Sequence, residues 1–228
     1  MDKIIELQNI CFAYQGEAAL CYITFDVCRG ETVVLQGPNG CGKSTLINVL
    51  NGILFPEEGT YRFEGQLISE KTLKDSRFSK QFHQKIGYVF QNSDVQLFCS
   101  TVEEEIAFGP MQMGFAEDEI RERTDDVIRL LHLEKLRERA PYHLSGGEKK
   151  KVALACVLSL NPEVLILDEP LAGLDVKTQQ LLKDLLKTLK KAGKTLIIVT
   201  HDRDLAAEIG DRFITLDENH RICGQKQS

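Results

Sequence analysis

Short apolar runs alternate with amphipathic segments through the last third of the chain. Residues 164–167 and 195–199 are strand-length runs rich in Val, Leu and Ile, and a segment with helical features follows each of them. The first of these segments carries a leucine stripe at helical spacing, formed by Leu181, Leu182, Leu185, Leu186 and Leu189. A final strand is predicted at residues 212–216. Strands that alternate with helices in this way predict a parallel sheet with right-handed crossover connections.

The opening third of the chain has the pattern of strands. Residues 3–14 and 18–28 are rich in Ile, Val, Phe and Tyr, and a short turn that contains Gly16 separates them. Because these N-terminal segments are joined by a short turn, they predict an antiparallel β part. Further short strands are predicted at residues 32–36, 60–63, 66–68 and 86–90, and a helix is predicted at residues 43–50.

The middle of the chain is predicted to be helical. Thr101 and Glu104 have the spacing of a capping box, and Gly109-Pro110 is expected to interrupt the helix that begins there. A second helix places its apolar side chains on one face, at Ile120, Val127, Ile128 and Leu131. The whole pattern predicts an α/β protein with a mainly parallel sheet, an N-terminal antiparallel β part and a helical insertion around residues 92–145.

Composition and charge limit the kinds of molecule that this chain is expected to bind. The chain has 228 residues, with 28 Lys plus Arg against 34 Asp plus Glu, and a formal net charge of −6. Net acidity argues against nucleic acid or an anionic lipid surface as the main partner. No apolar run approaches the ~18 residues that cross a bilayer and no secretory signal is expected, so membrane contact should run through another protein. The seven cysteines form no CxxC pair, which favours free thiols in a reducing cytosol.

One segment has the pattern of a phosphate-binding loop. It fits G-x4-G-K-[ST], lies directly between an apolar strand and a helix, and reads Gly37-Pro38-Asn39-Gly40-Cys41-Gly42-Lys43-Ser44. Glycines let backbone N–H groups approach phosphates closely, and the helix that follows directs its positive end at the same anion. Lys43 supplies a charge for the outer phosphates and Ser44 a hydroxyl for Mg²⁺. The sequence therefore predicts a nucleotide phosphate site.

Two acidic residues, Asp168 and Glu169, follow the apolar run at residues 164–167. The carboxyl end of a buried parallel strand lies at the ligand crevice of such a sheet. Consecutive side chains on a strand point to opposite sides, so separate roles are expected for the two acids. Asp168 suits the water shell of a metal ion, and Glu169 suits the attacking water.

Two further segments each allow two interpretations. Ser145-Gly146-Gly147-Glu148 has capping-box spacing, which explains a helix start by itself. Two glycines in a first turn cost a helix about 1 kcal/mol each relative to Ala, a cost that makes sense where N–H groups must approach a second phosphate surface. His201 is either a loop histidine beside a helix cap at Asp202 or a functional group at the end of a buried strand.

Taken together and in this order, the motifs resemble those of the ATPase subunit of ABC (ATP-binding cassette) transporters, over essentially the whole chain. The resemblance implies one ABC ATPase domain, in which residues 1–91 and 160–228 form a P-loop NTPase core and residues 92–159 a helical subdomain. It implies ATP and Mg²⁺ as cofactors. It also implies a stacking role on adenine for Tyr14 and a sensing role towards the membrane partner for Gln91.

The same resemblance assigns the remaining roles by motif. It assigns catalysis to Lys43, Glu169 and His201, and Mg²⁺ binding to Ser44, Gln91 and Asp168. It assigns nucleotide binding to Tyr14, the phosphate loop with Thr45, Gln91 and the signature motif Ser145-Gly146-Gly147-Glu148. In such proteins two subunits pair head to tail, so a second ATPase subunit, identical or not, is expected to complete each site.

A narrower resemblance concerns the segment from Phe90 to Pro110 and the signature with its three following lysines. These resemble the energy-coupling-factor and cobalt-type ATPases, which implies import of transition-metal ions or vitamins. Transmembrane subunits are expected to contact the region from Gln91 to Pro110, where Phe98, Phe108, Met111 and Met113 could form an exposed apolar groove. The protein is then expected at the cytoplasmic face of the membrane, held there through protein partners.

Two alternative classes remain at this stage. A soluble ABC-type ATPase that serves a protein assembly, such as iron–sulfur cluster biogenesis, predicts the same ATP chemistry with soluble partners. A P-loop kinase or GTPase would not require Ser145-Gly146-Gly147 and would act without ATP-dependent dimerisation. The partners that accompany the protein distinguish the first alternative, and dimer formation distinguishes the second.

Overall fold

The computed structural model describes residues 2–227, which form two β-sheets and the helices around them. The first sheet is antiparallel, has the order β2-β1-β4-β5, and consists of β1 (Lys3–Tyr14), β2 (Glu17–Cys28), β4 (Glu58–Phe63) and β5 (Gln66–Ile68). The second has the order β10-β9-β3-β8-β7-β6 and consists of β3 (Thr32–Gln36), β6 (Ile86–Val89), β7 (Val164–Asp168), β8 (Thr195–Val199), β9 (Arg212–Leu216) and β10 (Ile222–Gln227). Adjacent strands of this second sheet are parallel, except for the antiparallel pair β9–β10. The predicted fold class is confirmed.

Residues 2–227 contain eight α-helices, and side chains cap the start of six of them. The helices are α1 (Lys43–Leu50), α2 (Glu70–Leu73), α3 (Ser76–Lys85), α4 (Val102–Met113), α5 (Glu117–Leu130), α6 (Gly146–Leu158), α7 (Val176–Lys191) and α8 (Arg203–Ile209). The Thr101 hydroxyl accepts from the Glu104 N–H at the start of α4, and Asp202 caps α8 through the Leu205 N–H. Short 3-10 turns lie at Ser93–Val95, Glu134–Leu136 and Pro141–His143.

The hydrophobic core occupies both faces of the six-stranded sheet. Strand β7 shows this by alternation, because Val164 and Ile166 face the four-stranded sheet and α1, whereas Leu165 and Leu167 face the helices α4 to α8. Every residue of β7 and β8 is buried, as expected for central parallel strands covered on both faces. The carboxyl ends of β6, β7, β8 and β3 are therefore neighbours at one edge of the sheet.

The prediction that Gly109-Pro110 interrupts a helix is wrong, because α4 runs through Pro110 to Met113. Pro110 has no N–H to donate to the carbonyl oxygen of Ile106, one turn earlier. The hydroxyl of Ser159, just after α6, lies 3.1 Å from that oxygen and 2.8 Å from the carbonyl oxygen of Cys156, and its one proton is shared between these two acceptors. A donor from a distant part of the chain thus stands where the proline removes a backbone hydrogen bond.

Ser159→Ala is expected to lower the free energy of unfolding by about 1–3 kcal/mol, because it leaves the buried Ile106 carbonyl without its donor. Pro110→Ala restores a backbone N–H to that carbonyl, so the same serine substitution should cost clearly less in the Pro110→Ala background. Urea unfolding of the four proteins of this double-mutant cycle measures the difference. Equal costs in both backgrounds would show that the hydroxyl does not compensate for the proline.

Three elements have no counterpart among the sequence predictions, namely β10 and the helices α2 and α3. Strand β10 is mostly polar and exposed, and pairs only with β9, so no apolar alternation marks it. Helix α3 buries only Phe82, and its start is set by Asp75, whose carboxylate accepts the N–H groups of Arg77 and Phe78. Residues 212–216 are thus the penultimate strand of the described chain and not the last.

Within residues 2–227, no helix combines the length and the apolar character that crossing a bilayer requires.

Candidate functional site

A cavity of about 710 Å³ opens at the edge where the carboxyl ends of β3, β7 and β8 meet. Most of the residues singled out from the sequence border it: Tyr14, Asn39, Gly40, Gly42, Lys43, Ser44, Thr45, Gln91, Asp168, Glu169 and His201. Gly37, Pro38 and Cys41 belong to the same loop but do not border the cavity. Ser145, Gly146, Gly147 and Glu148 lie outside it. One edge of the sheet therefore gathers eleven of the eighteen candidate residues.

The path of the loop at residues 37–42 depends on glycine at two positions. At Gly37, with φ +144°, a Cβ would lie 2.5 Å from the carbonyl oxygen of Leu216, and at Gly42, with φ +101°, it would overlap the carbonyl oxygen of Ala19. Gly40 also has a positive φ, +81°, but a Cβ there would meet open space. The outer glycines thus let the loop lie close to β9 and β2.

The buried amine of Lys43 lies under this loop. Its Nζ donates to the carbonyl oxygens of Gly37 at 2.7 Å and Pro38 at 2.8 Å, while Ser44 and Thr45 border the cavity from the first turn of α1. The Cys41 side chain is buried in the core behind the loop. A cation, a helix N-terminus and loop N–H groups at one place form an arrangement that suits a phosphate chain.

Both acidic residues at the carboxyl end of β7 border the cavity, although strand alternation predicts opposite directions for their side chains. Strand β7 ends at Asp168, and Glu169 takes a left-handed φ of +46°, so alternation does not extend to it. Burial and the neighbouring Glu169 carboxylate raise the pKa of Asp168 above its usual value, and the amines of Lys150 and Lys43 oppose that shift. The surroundings of the two carboxylates differ, as the prediction of separate roles requires.

Glu169 lies against the end of β8. Its Oε2 accepts from the Thr200 hydroxyl at 3.5 Å and from the backbone N–H of His201 at 3.4 Å. Its Oε1 is buried without a hydrogen-bond partner within residues 2–227, and the Nε2 of the largely exposed His201 lies 3.7 Å away. A carboxylate oxygen that is buried, free to accept and close to an exposed imidazole suits general-base chemistry on a bound water.

The segment at residues 145–148 begins α6. The Glu148 carboxylate accepts from the N–H and hydroxyl of Ser145, which lowers the pKa of Glu148, and the Ser145 hydroxyl accepts the Glu148 N–H. Ser145 and Glu148 thus form both hydrogen bonds of a capping box at the start of α6. The capping box does not explain Gly146, because a Cβ at that position would meet open space and the residue has no positive φ. Packing within the described chain does not require glycine there.

Sequence reasoning missed two residues of this region, His220 and Lys150. His220 lies in the turn between β9 and β10, borders the cavity, and has its Nδ1 buried without a hydrogen-bond partner in the described part of the chain. It could not be found because β10 itself was not predicted. Lys150 is buried on α6, and its Nζ donates to the carbonyl oxygens of Phe90 at 2.9 Å and Gln91 at 3.1 Å.

A second cavity, which we call the apolar groove, lies beside the nucleotide-sized one. It has a volume of about 290 Å³, and its aromatic and aliphatic lining includes Ile53, Tyr88, Phe90, Phe98, Phe108 and Leu160. Phe98 and Phe108 meet edge to face, 4.9 Å between ring centroids, and Phe98 is 68% exposed. Met111 is exposed and Met113 partly buried, and neither borders the groove, so only the two phenylalanines of the four expected residues line it.

A glycine-rich loop between a buried strand and a helix N-terminus, a lysine beneath it and two carboxylates across the cavity define a nucleoside-triphosphate hydrolase of the P-loop class. The ABC transporter family model matches residues 20–172, and the chain belongs to this family. It is therefore the ATP-binding subunit of an ABC transporter and an ATPase. The resemblance inferred from the motifs is confirmed.

Individual relatives agree with this assignment over the whole chain. The nickel import ATP-binding protein LarO of Lactiplantibacillus plantarum is 46% identical over 219 residues, 96% of this chain and 91% of LarO. The structure of cbiO1 from Clostridium perfringens, part of the ABC transporter complex cbiONQ, superposes with a TM-score of 0.86 at 37% identity and covers 100% of this chain and 89% of cbiO1. The cassette MJ0796, a dimer in a post-hydrolysis state bound to ADP and Pi, gives a TM-score of 0.86 at 30% identity and 98% coverage of both chains.

Proposed function

We propose that this chain powers the import of a transition-metal ion or a vitamin of the energy-coupling-factor type, as one of two ATPase subunits that pair head to tail. The similarity to LarO, whose name specifies nickel import, supports an importer and favours a transition metal as the solute. The similarity to cbiO1, part of the ABC transporter complex cbiONQ, supports a subunit of a transporter complex. The observation that carries the proposal is the separation of the two phosphate-binding motifs. The loop at residues 37–44 borders the cavity of its own chain, whereas the start of α6 does not border that cavity, and a Cβ at Gly146 would meet open space.

In this proposal the residues around the cavity have separate roles in ATP binding and hydrolysis. Tyr14, 48% exposed at the rim, offers its ring for stacking on the adenine. Lys43 and the loop N–H groups balance the charge of the phosphates. Glu169 takes a proton from the attacking water, and His201, next to it, stabilises the charge on the transferring phosphoryl group.

The residues also fit a magnesium ion that accompanies the nucleotide. Ser44, Gln91 and Asp168 all border the cavity, and a hydroxyl, an amide and a carboxylate are sources of the oxygen ligands that Mg²⁺ prefers. Bound there, the ion would neutralise charge on the phosphates. The pKa of Asp168, which burial and Glu169 raise, is expected to fall when a cation binds beside it.

A second subunit would complete the site with the N-terminus of its α6. Glycine at Gly146 and Gly147 costs α6 about 1 kcal/mol each relative to Ala, and the cost is explained if N–H groups at this end approach a phosphate chain on another molecule. The dimeric MJ0796 cassette with ADP and Pi supports such a pair. Residues 92–159, which include α4 to α6, would then act as the subdomain that carries this end.

Ser145→Ala is expected to lower ATP turnover about 10- to 100-fold and to leave ATP affinity of the dilute monomer unchanged, because the hydroxyl serves the partner's nucleotide. The substitution also removes a helix cap. Ser69→Ala, which removes the matching capping box at the start of α2 away from the cavity, is the control for that loss and should keep full turnover. Turnover lost equally in both variants would mean that capping alone is responsible.

The apolar groove is the proposed docking site for a transmembrane partner. It exposes aromatic surface next to Gln91, because Phe90 borders the groove while the adjacent Gln91 borders the nucleotide cavity. An exposed apolar groove of this kind suits a short amphipathic segment from a partner protein. Docking there would hold the chain at the cytoplasmic face of the membrane without a lipid contact of its own.

Affinity purification of the full chain from detergent-solubilised membranes of its source cells tests this proposal. We expect integral membrane subunits in the eluate, and we expect Phe98→Asp to remove them while ATP binding is unchanged. Tyr22→Asp changes an aromatic residue of comparable exposure outside the groove and should leave the subunits in place. Recovery of soluble assembly proteins instead would favour the alternative of an ABC-type ATPase that serves iron–sulfur cluster biogenesis.

A further inference from the structure

The backbone of Phe90 and Gln91 forms the wall between the two cavities. Strand β6 ends at Val89, and the side chains of the next two residues border the apolar groove and the nucleotide cavity respectively. The carbonyl oxygens of both residues accept from the same donor, the Nζ of Lys150, at 2.9 and 3.1 Å. A single amine thus holds both peptide units at the point where the cavities meet.

Packing does not explain a lysine at this position. Lys150 is only 4% exposed, and burial lowers its pKa to about 8. Within residues 2–227 no carboxylate forms an ion pair with it, although the charges of Asp168 and Glu169 favour its protonated form. A methionine of similar length would fill the same space without the cost of burying an amine. The free energy that offsets the burial of the Lys150 amine must therefore come from its two hydrogen bonds to Phe90 and Gln91.

The neighbouring lysines of α6 show that the arrangement is specific to one of them. Lys149 extends to the exposed carboxylate of Asp94 at 2.5 Å, and Lys151 donates to the carbonyl oxygen of Leu131. Helix α6 also holds the loop further along, because the amide of Gln96 donates to the carbonyl oxygen of Ala153 at 3.3 Å. Only Lys150 reaches residues 90 and 91.

We infer that Lys150 is a positioning residue that fixes the Phe90–Gln91 backbone to helix α6, so that the start of α6, the Gln91 side chain and the edge of the apolar groove move together. A displacement of one of these parts is then transmitted to the others through two hydrogen bonds at their junction. The inference rests on the proposed roles of Gln91 and of the α6 N-terminus. The inference adds Lys150 as the residue that couples Gln91 to the N-terminus of α6.

Lys150→Met tests the inference in the full chain, alone and in the complex recovered from membranes. We expect kcat for ATP hydrolysis to fall about 10- to 100-fold, since a misplacement of about 1 Å at a reacting centre costs that much. The KM for ATP should stay within about twofold, because the phosphate loop supplies the ground-state affinity. Lys150→Arg keeps a cationic donor for the two carbonyl oxygens and should restore part of the lost kcat, because the buried site must also accommodate the larger guanidinium.

Lys149→Met is the matched control, because it removes the adjacent lysine of the same helix, and it should keep the parent kcat. Nucleotide-binding stoichiometry separates positioning from unfolding, since an unfolded fraction would lower stoichiometry and kcat by the same factor. A Lys150→Met protein with parent kcat, or one that loses kcat only in proportion to stoichiometry, overturns the inference. A parent chain that does not bind ATP would instead defeat the proposed function.

Discussion

Lys43→Ala is expected to abolish measurable ATP binding, with an affinity loss of at least about 100-fold, equivalent to about 3 kcal/mol. Lys43 borders the cavity, and its amine already lies within hydrogen-bond distance of the loop. A charge-assisted hydrogen bond to a phosphate oxygen contributes about 1.5–3 kcal/mol, and the N–H of Lys43 that Gly37 and Pro38 do not accept can make one. The loss of this bond together with the attraction between the amine and the phosphate charge accounts for the effect. Titration calorimetry with ATP and Mg²⁺ measures it.

Two controls accompany this measurement. Lys74→Ala removes a surface lysine that pairs with Glu70 and does not border the cavity, and it should leave ATP affinity unchanged. The melting temperature shows whether Lys43→Ala keeps its fold, which we expect because α1 is anchored by buried apolar residues that do not depend on the amine. ATP affinity that is unchanged in a folded Lys43→Ala protein would refute the assignment of the phosphate loop.

The sequence predicted the site best where the chemistry lies in one contiguous segment at the end of a buried strand. The phosphate loop follows β3, Asp168 is the last residue of β7 with Glu169 next to it, and His201 follows β8. Because parallel strands present their carboxyl ends at one edge, placing these motifs on strands was enough to bring them together. The alternation rule failed only at Glu169, where the strand had already ended.

Features that depend on contacts between distant segments could not be predicted in this way. A run of three lysines gives no indication that only Lys150 points inward, since that depends on how α6 packs against the loop after β6. Likewise the rule that proline ends a helix did not hold for Pro110, because the compensating donor, Ser159, lies in a distant segment just after α6. His220 reaches the cavity through an exposed hairpin whose polar sequence resembles a loop.

Glu169→Gln is expected to keep ATP binding and to slow hydrolysis about 10²- to 10⁴-fold, the range that a general base contributes. Glutamine preserves the size of the side chain and can still accept from the Thr200 hydroxyl and the His201 N–H, so the local structure should persist. It cannot take a proton from water. Single-turnover hydrolysis measures the loss, and a variant that retains turnover would remove Glu169 from the role of base.

The same variant should accumulate as an ATP-dependent dimer. Bound ATP favours the closed pair, and the hydrolysis that would remove the ATP is blocked in this variant. Gly146→Asp in this background is a sharp test, since a side chain there meets only open space within its own chain and should leave the monomer folded. We expect size-exclusion chromatography with ATP to show a dimer for Glu169→Gln and a monomer for the double variant, because an acidic side chain would repel the partner's phosphates. A dimer that forms equally well with Asp at position 146 would mean that the start of α6 does not face a second nucleotide, and the head-to-tail arrangement would have to be abandoned.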